Sequence, residues 1–292
     1  MSTIIAKGIN KKYKDTNALK DVDLTVESGK IYGMIGRNGA GKTTLLSILS
    51  AQNPATSGLV TIDGEKVWEN QKAIDRICFS REIATTTPFG PNTYKIKDYL
   101  KAAEIFYPNW DKEYAKNLVE TFKLNPRKKV SKLSKGMLSM VTIIIALASR
   151  AEFTFLDEPV AGLDIVARDQ FYKLLLKDYE ETHRTFIIST HIIEEAANLF
   201  EDTIIVKNGE IYTNENTQQL LARVQMVSGS AEEVDALIAG RDYHRVEQLG
   251  NTKRATIVMR PGEELKVPET VTVTPLSLQE IFLAVCGEEV EQ

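Results

Sequence analysis

The chain has 292 residues, 43% of them hydrophobic and 26% charged, with a formal net charge of -4 at pH 7. That length suits a large domain with a small companion, and the composition excludes a disordered chain or a disulfide miniprotein. The acidic excess gives no bulk attraction to a phosphate backbone, so nucleic acid is not expected as the partner.

Lysines 7, 11 and 12 stand near the start, without an apolar run of signal-peptide length. The most apolar stretch, Met140 to Ala148, is far shorter than the roughly 20 residues a spanning helix needs. A cytosolic protein is expected, with any membrane span supplied by a partner. Ile31 to Ile35 reads as a strand and Thr44 to Ser50 as the start of a helix. Between them, Gly36-Arg37-Asn38-Gly39-Ala40-Gly41-Lys42-Thr43 fits G-x-x-x-x-G-K-S/T, the phosphate-binding loop. Glycines let such a loop curl so that its amides face phosphate, and the following helix N-terminus adds positive potential there. Lys42 places a cation on the β and γ phosphates, and Thr43 offers its hydroxyl to Mg²⁺. The nucleotide-binding set therefore runs from Gly36 through Thr44, with ATP and Mg²⁺ as ligands.

Leu59 to Ile62 leads into Asp63-Gly64, and Thr203 to Lys207 into Asn208-Gly209; both dipeptides favour type I′ hairpin turns, so part of the sheet is antiparallel. Strand signals fade between Arg81 and Arg150, where Lys112 to Phe122 and Ser134 to Arg150 read as helices. A helical insertion is expected over about residues 83–150. Phe153 to Leu156 is a buried-type strand ending in Asp157-Glu158-Pro159. Successive strand residues face opposite sides, but a turn at the strand end can bring both acids to the nucleotide, Asp157 to Mg²⁺ and Glu158 to an attacking water. An exposed strand terminus is the plainer alternative. Thr185 to Ser189 is another strand, and strand-then-helix repetition makes the fold α/β.

Beyond residue 221 the runs shorten to Val224 to Val227, Thr256 to Met259 and Val271 to Val273. Ser230-Ala231-Glu232-Glu233 and Ser277-Leu278-Gln279-Glu280 have the form of capping boxes that open helices. The expected division is residues 1–220 for the nucleotide unit and residues 221–292 for a small α+β appendage. Cys78 and Cys286 lack any metal-ligand spacing and read as buried free thiols. His183 and His244 read as surface residues.

From Lys7 to about Tyr212 the chain resembles the nucleotide-binding subunits of ABC transporters. Leu133-Ser134-Lys135-Gly136-Met137 is similar to the family signature, usually Leu-Ser-Gly-Gly-Gln, in a form like that of exporter-type (ABC-2, bacitracin-type) members. Ala161-Gly162-Leu163-Asp164 looks like the D-loop, and Ile188-Ser189-Thr190-His191 like the segment ending in the switch histidine. The resemblance implies a P-loop NTPase core with an antiparallel β subdomain and an inserted helical subdomain carrying the signature. It also implies a head-to-tail homodimer or heterodimer, in which Ser134, Lys135 and Gly136 of one subunit cover ATP on the other, with Asp164 beside them. Glu158 would be the base, His191 the γ-phosphate sensor, and Tyr13 the ring that stacks on adenine. The position of the family glutamine that meets Mg²⁺ falls on Glu82, or less favourably on Arg81. A carboxylate there adds negative charge beside Asp157 and Glu158 and would alter metal affinity and the pH dependence of hydrolysis.

The implied function is ATP hydrolysis that drives a separate membrane permease, in the direction of export, from the cytoplasmic face of the cell membrane. In the family a cytoplasmic helix of the permease docks on the helical insertion. Phe89, Tyr94, Phe106, Tyr107 and Trp110 belong either to that surface or to the insertion's own core. Exporter-type subunits often carry such appendages. The family also contains soluble ATPases that act on ribosomes or DNA, the competing class.

Overall fold

The computed structural model describes residues 2–260 and 262–287. The chain opens with a long hairpin, β1 (Thr3–Tyr13) and β2 (Thr16–Glu27), turned at Lys14 in the left-handed region. β3 (Ile31–Ile35), α1 (Lys42–Leu49), β4 (Ser57–Ile62), β5 (Glu65–Lys66), α2 (Gln71–Ile74) and β6 (Ile77–Ser80) follow. The insertion holds the two-residue strands β7 (Thr86–Thr87) and β8 (Gly90–Pro91), then α3 (Ile96–Phe106), α4 (Lys112–Thr121) and α5 (Lys135–Ala148). Next come β9 (Phe153–Asp157), α6 (Ile165–Thr182), β10 (Thr185–Ser189), α7 (Ile193–Ala196), β11 (Asp202–Lys207), β12 (Glu210–Asn216) and α8 (Thr217–Arg223). The last stretch is β13 (Val224–Ser230), α9 (Ala231–Ile238), β14 (Asp242–Leu249), β15 (Thr252–Val258), β16 (Thr272–Pro275) and α10 (Leu278–Cys286).

The central sheet has the order β12-β11-β3-β10-β9-β6, with β12 antiparallel to five parallel strands. Its middle strands are buried on both faces, and alternate residues enter different cores. Tyr32, Met34, Phe153, Phe155 and Ile187 pack with Ile4, Ile9 and Val22 of the antiparallel sheet β2-β1-β4-β5. Ile31, Ile35, Leu156, Phe186 and Ile188 pack with Val141, Ile144, Phe171 and Leu175 of the helices. Such double burial explains the near-continuous apolar runs. At Gly33 a Cβ would lie 2.2 Å from the Phe200 ring, so the strand passes that ring only as glycine.

Both expected hairpin turns form, with positive φ at Asp63, Gly64, Asn208 and Gly209. Both capping boxes close at Ser230 and Ser277. Cys78 and Cys286 are buried free thiols. His183 is exposed, but His244 is largely covered and its Nε2 lies 3.3 Å from the Tyr212 hydroxyl, so the surface reading of His244 is corrected. Of the five aromatics in the insertion, Phe89, Tyr94 and Phe106 are exposed, whereas Tyr107 and Trp110 pack against the core. β13 to β16 form an antiparallel sheet under α9, with a small core of Val227, Val234, Ala255 and Ile257. α10 instead returns to the large core through Leu278, Ile281 and Val285.

The insertion is fastened by buried charge. The Arg184 guanidinium donates to the carbonyls of Leu147 (2.8 Å) and Ala146 (3.3 Å) at the C-terminal end of α5, and to Asp178 Oδ1 at 2.7 Å. Asp178 Oδ2 accepts from Arg150 at 2.9 Å, and Arg150 also reaches Asp111, the N-cap of α4. Replacing Asp178 by Ala leaves two guanidinium groups without their shared buried partner. Urea denaturation should show a loss of about 3 to 5 kcal/mol of stability.

Candidate nucleotide site

The parallel strands end along one edge of the central sheet. Ser189 pairs with Asp157 and with Met34, so β3, β9 and β10 release their chains at one level. Beyond β3 the loop passes so close to β11 that a Cβ at Gly36 would lie 2.5 Å from the Val206 carbonyl oxygen. Gly41 has φ 109°, and a Cβ there would lie 2.8 Å from the Ala18 carbonyl oxygen. Lys42 is 6% exposed; its ammonium donates to the carbonyls of Gly36 (2.6 Å) and Arg37 (3.3 Å). Burial holds the pKa of Lys42 below its ordinary value, while Glu158 and Asp157 pull it upward.

A cavity of about 550 Å³ lies over this loop, walled by Arg37, Asn38, Gly39 and Gly41 through Thr44 on one side, and by Thr16 to Ala18, Lys20 and Asn208-Gly209 on the other. Ala40 turns into the core beneath it. Tyr13 does not line this cavity. It stands just before that wall, 45% exposed, with the Lys11 ammonium 4.9 Å from its ring centroid and its hydroxyl bonded by Asn53. The sequence points to the loop side of this cavity but not to the facing wall of Thr16 to Ala18, Lys20 and Asn208-Gly209. Asn208-Gly209 had shown only its turn chemistry, and nothing in sequence put that hairpin against the loop, where Gly209 donates to the Ala40 carbonyl at 3.0 Å.

Asp157 accepts from the hydroxyls of Thr43 (2.7 Å) and Ser189 (2.9 Å). Glu158 takes φ 50°, the left-handed region, and its amide donates to the Ser189 carbonyl at 3.0 Å. A non-glycine residue there is strained by on the order of 1 to 2 kcal/mol. The turn is what sends Glu158 to the nucleotide side, where its Oε2 lies 2.6 Å from His191 Nδ1. Glu158 lines the cavity over the loop and also a second one of about 260 Å³, shared with Glu82, Lys135, Asp157 and His191. Arg81 does not line either cavity.

The signature segment is built differently. Ser134 caps α5, its hydroxyl accepting from the Met137 amide at 3.3 Å. A Cβ on Gly136 would meet the Gly162 carbonyl oxygen at 2.5 Å, so α5 and the Ala161–Asp164 loop touch through backbone. Asp164 caps α6 by accepting from the Ala167 amide at 2.8 Å. Neither Ser134, Gly136 nor Asp164 lines the cavity over the chain's own phosphate loop.

The pattern of the ABC transporter family matches residues 19–161. Over 214 residues the chain is 33% identical to the bacitracin transport ATP-binding protein BcrA of Bacillus licheniformis, covering 72% of this chain and 69% of BcrA. The chain belongs to the ATP-binding proteins of ABC transporters. It is also 26% identical over 288 residues to the ABC transporter ATP-binding protein YtrB of Bacillus subtilis strain 168, covering 96% of each. A solved dimeric structure of the cassette MJ0796, in a post-hydrolysis state bound to ADP and Pi, superposes with TM-score 0.64 at 25% identity, covering 73% of this chain and 98% of that one.

The ABC subunit is therefore an ATPase, and the loop from Gly36 to Thr43 has the backbone curl and buried lysine that suit phosphate. Its oxygen donors, the Thr43 hydroxyl and the Asp157 and Glu82 carboxylates, suit a hard ion such as Mg²⁺. Among the described residues no group of three His, Cys, Asp or Glu side chains is placed to hold a metal alone. Lys42→Ala removes the buried ammonium that the loop's backbone turn wraps and should weaken ATP binding at least about tenfold in fluorescent-nucleotide titration.

Proposed function

We propose that this ABC subunit closes head to tail on a second ATP-binding subunit, a like copy or a different chain, with ATP shared between them, and so drives a separate membrane permease. One observation carries the reading. Ser134 and Gly136 stand at the N-terminal end of α5, outside the cavity over their own loop, while Lys135 beside them lines the second cavity with Asp157 and Glu158. The amides and the hydroxyl at that end suit phosphate oxygens presented by another subunit, with Asp164 at the same edge.

Within the closed site Lys42 and the loop amides hold the phosphates, and Tyr13 stacks on adenine. Thr43, Asp157 and Glu82 hold Mg²⁺, which when bound neutralises phosphate charge. Glu158 accepts the proton of the attacking water. His191, whose ring nitrogen meets Glu158 at 2.6 Å, orients that carboxylate and senses the γ-phosphate.

Residues 1–220 form the catalytic cassette and residues 221–292 the appendage. Among the described residues no helix is long and apolar enough to cross a membrane. A groove of about 700 Å³ between α3 and α4 has an apolar lining that includes Leu100, Trp110, Val119 and Leu124, and its charged lining is mostly lysine, at Lys97, Lys101, Lys112, Lys116 and Lys123, with Glu104 and Glu120 among them. It suits an amphipathic helix with an acidic flank, the kind of segment a permease presents at the cytoplasmic face. The exporter-type form of the signature and the appendage support export as the direction. The subunit works peripherally on the cytoplasmic side.

Glu158→Gln should lower turnover by about 100- to 10,000-fold while ATP-dependent dimers persist in analytical ultracentrifugation, because the base is lost and the phosphate contacts remain. Undiminished hydrolysis would remove Glu158 from the role. Co-expressed with its neighbouring membrane proteins, the chain should float with membranes. Nucleotide-dependent capture by ribosomes or DNA instead would favour the soluble class.

A further inference from the structure

We propose that Arg168 and Gln279 are positioning residues for His191, acting through the short helix α7, so that the appendage takes part in setting the hydrolytic site. The proposal rests on the reading of Glu158 and His191 as the hydrolytic pair. α7 (Ile193–Ala196) runs straight into a 3-10 turn at Ala197–Leu199, and the whole helical run is still too short to hold without support from outside. Its two acids are tied in different directions. Glu195 accepts from Arg168 Nη1 at 2.9 Å, and Glu194 accepts from Gln279 Nε2 of α10 at 2.9 Å. On its apolar side, Ile193 and Ala196 are buried in the same core as Leu278, Ile281 and Val285 of α10.

Arg168 has a second contact. Its Nε donates to the Leu163 carbonyl at 3.0 Å, in the loop that follows Glu158 and packs against Gly136. One guanidinium thus joins that loop to the helix behind His191. The His191 side chain is 57% exposed, so packing contributes little to fixing its ring. Its place is set by the backbone that carries it, and that backbone enters α7 two residues later. A displacement of about 1 Å at such a group is enough to cost turnover heavily. The Arg168–Glu195 pair is itself partly exposed, at 26% and 32%, so its loss should leave global stability almost unchanged. That separates a positioning role from a merely structural one.

The test is steady-state ATP hydrolysis by the full chain in its ATP-competent assembly, with the thermal midpoint recorded for each variant. Arg168→Gln and Glu195→Gln should each lower kcat by about 5- to 50-fold with KM for ATP within about twofold. Gln279→Ala should give a smaller loss, about two- to threefold, since the neutral bond is the weaker tie. Arg168→Lys should recover part of the loss by restoring the charge pair. In the His191→Ala background Arg168→Gln should add nothing, because its effect passes through that ring. Wild-type turnover in Arg168→Gln, or a loss that multiplies with that of His191→Ala, would overturn the proposal. Should Arg168→Gln fail to fold, Glu195→Gln reads the same tie from its other end. If His191→Ala itself turns over at the wild-type rate, the underlying reading of the hydrolytic pair fails instead.

Discussion

The parallel register of β3, β10 and β9 is the constraint on which this site depends. Ser189 lies beside Asp157 in the ladder, and Met34 beside Ser189, so the loop from Gly36 to Thr43, the pair Asp157-Glu158 and His191 leave the sheet together. Register is fixed because both faces of each strand are buried in different cores. A one-residue slip of β9 would exchange Phe155 for Leu156 between those cores and would turn Asp157 away from Thr43. The same ladder gives Asp157 its two hydroxyl donors, one from the loop of β3 and one from β10.

Strain and charge are then added at the strand ends. Glu158 occupies a left-handed conformation in which its carboxylate meets His191 while its amide stays bonded to the Ser189 carbonyl. Glu82 and Lys135, two of the residues that depart from the usual family pattern, line one cavity with Asp157 and Glu158. An added carboxylate and an added ammonium in one cavity offset each other's field, which a glutamine and a glycine at those positions leave unchanged. At the other end of α5, Arg184 and Asp178 fix the helix that carries Lys135, so placement of the signature is coupled to a buried ion network more than one element away.

Much of this was readable from residues in line. The apolar runs gave β3, β9 and β10 almost to the residue, the turn dipeptides gave both hairpins, and the serine and glutamate pairs gave two caps. β1 was harder to read because bulges between Ala6, Ile9 and Lys11 interrupt its alternation. β14 was missed because its side chains are largely polar and exposed. His244 looked like a surface residue because its cover, Tyr212, comes from a strand of the large unit.

The sequence by itself determined the phosphate loop, the acidic strand end and the order of the motifs, since each is a local matter of backbone permission, side-chain chemistry and spacing. Tertiary structure alone decided the rest: that Asn208-Gly209 walls the loop, that Glu82 and Lys135 share a cavity, that Ser134 and Gly136 stand away from their own nucleotide loop, and that Arg168 and Gln279 reach the two acids of α7. These relations join residues tens to hundreds of positions apart. Only the packing of whole elements brings such residues into contact, and no local propensity records it.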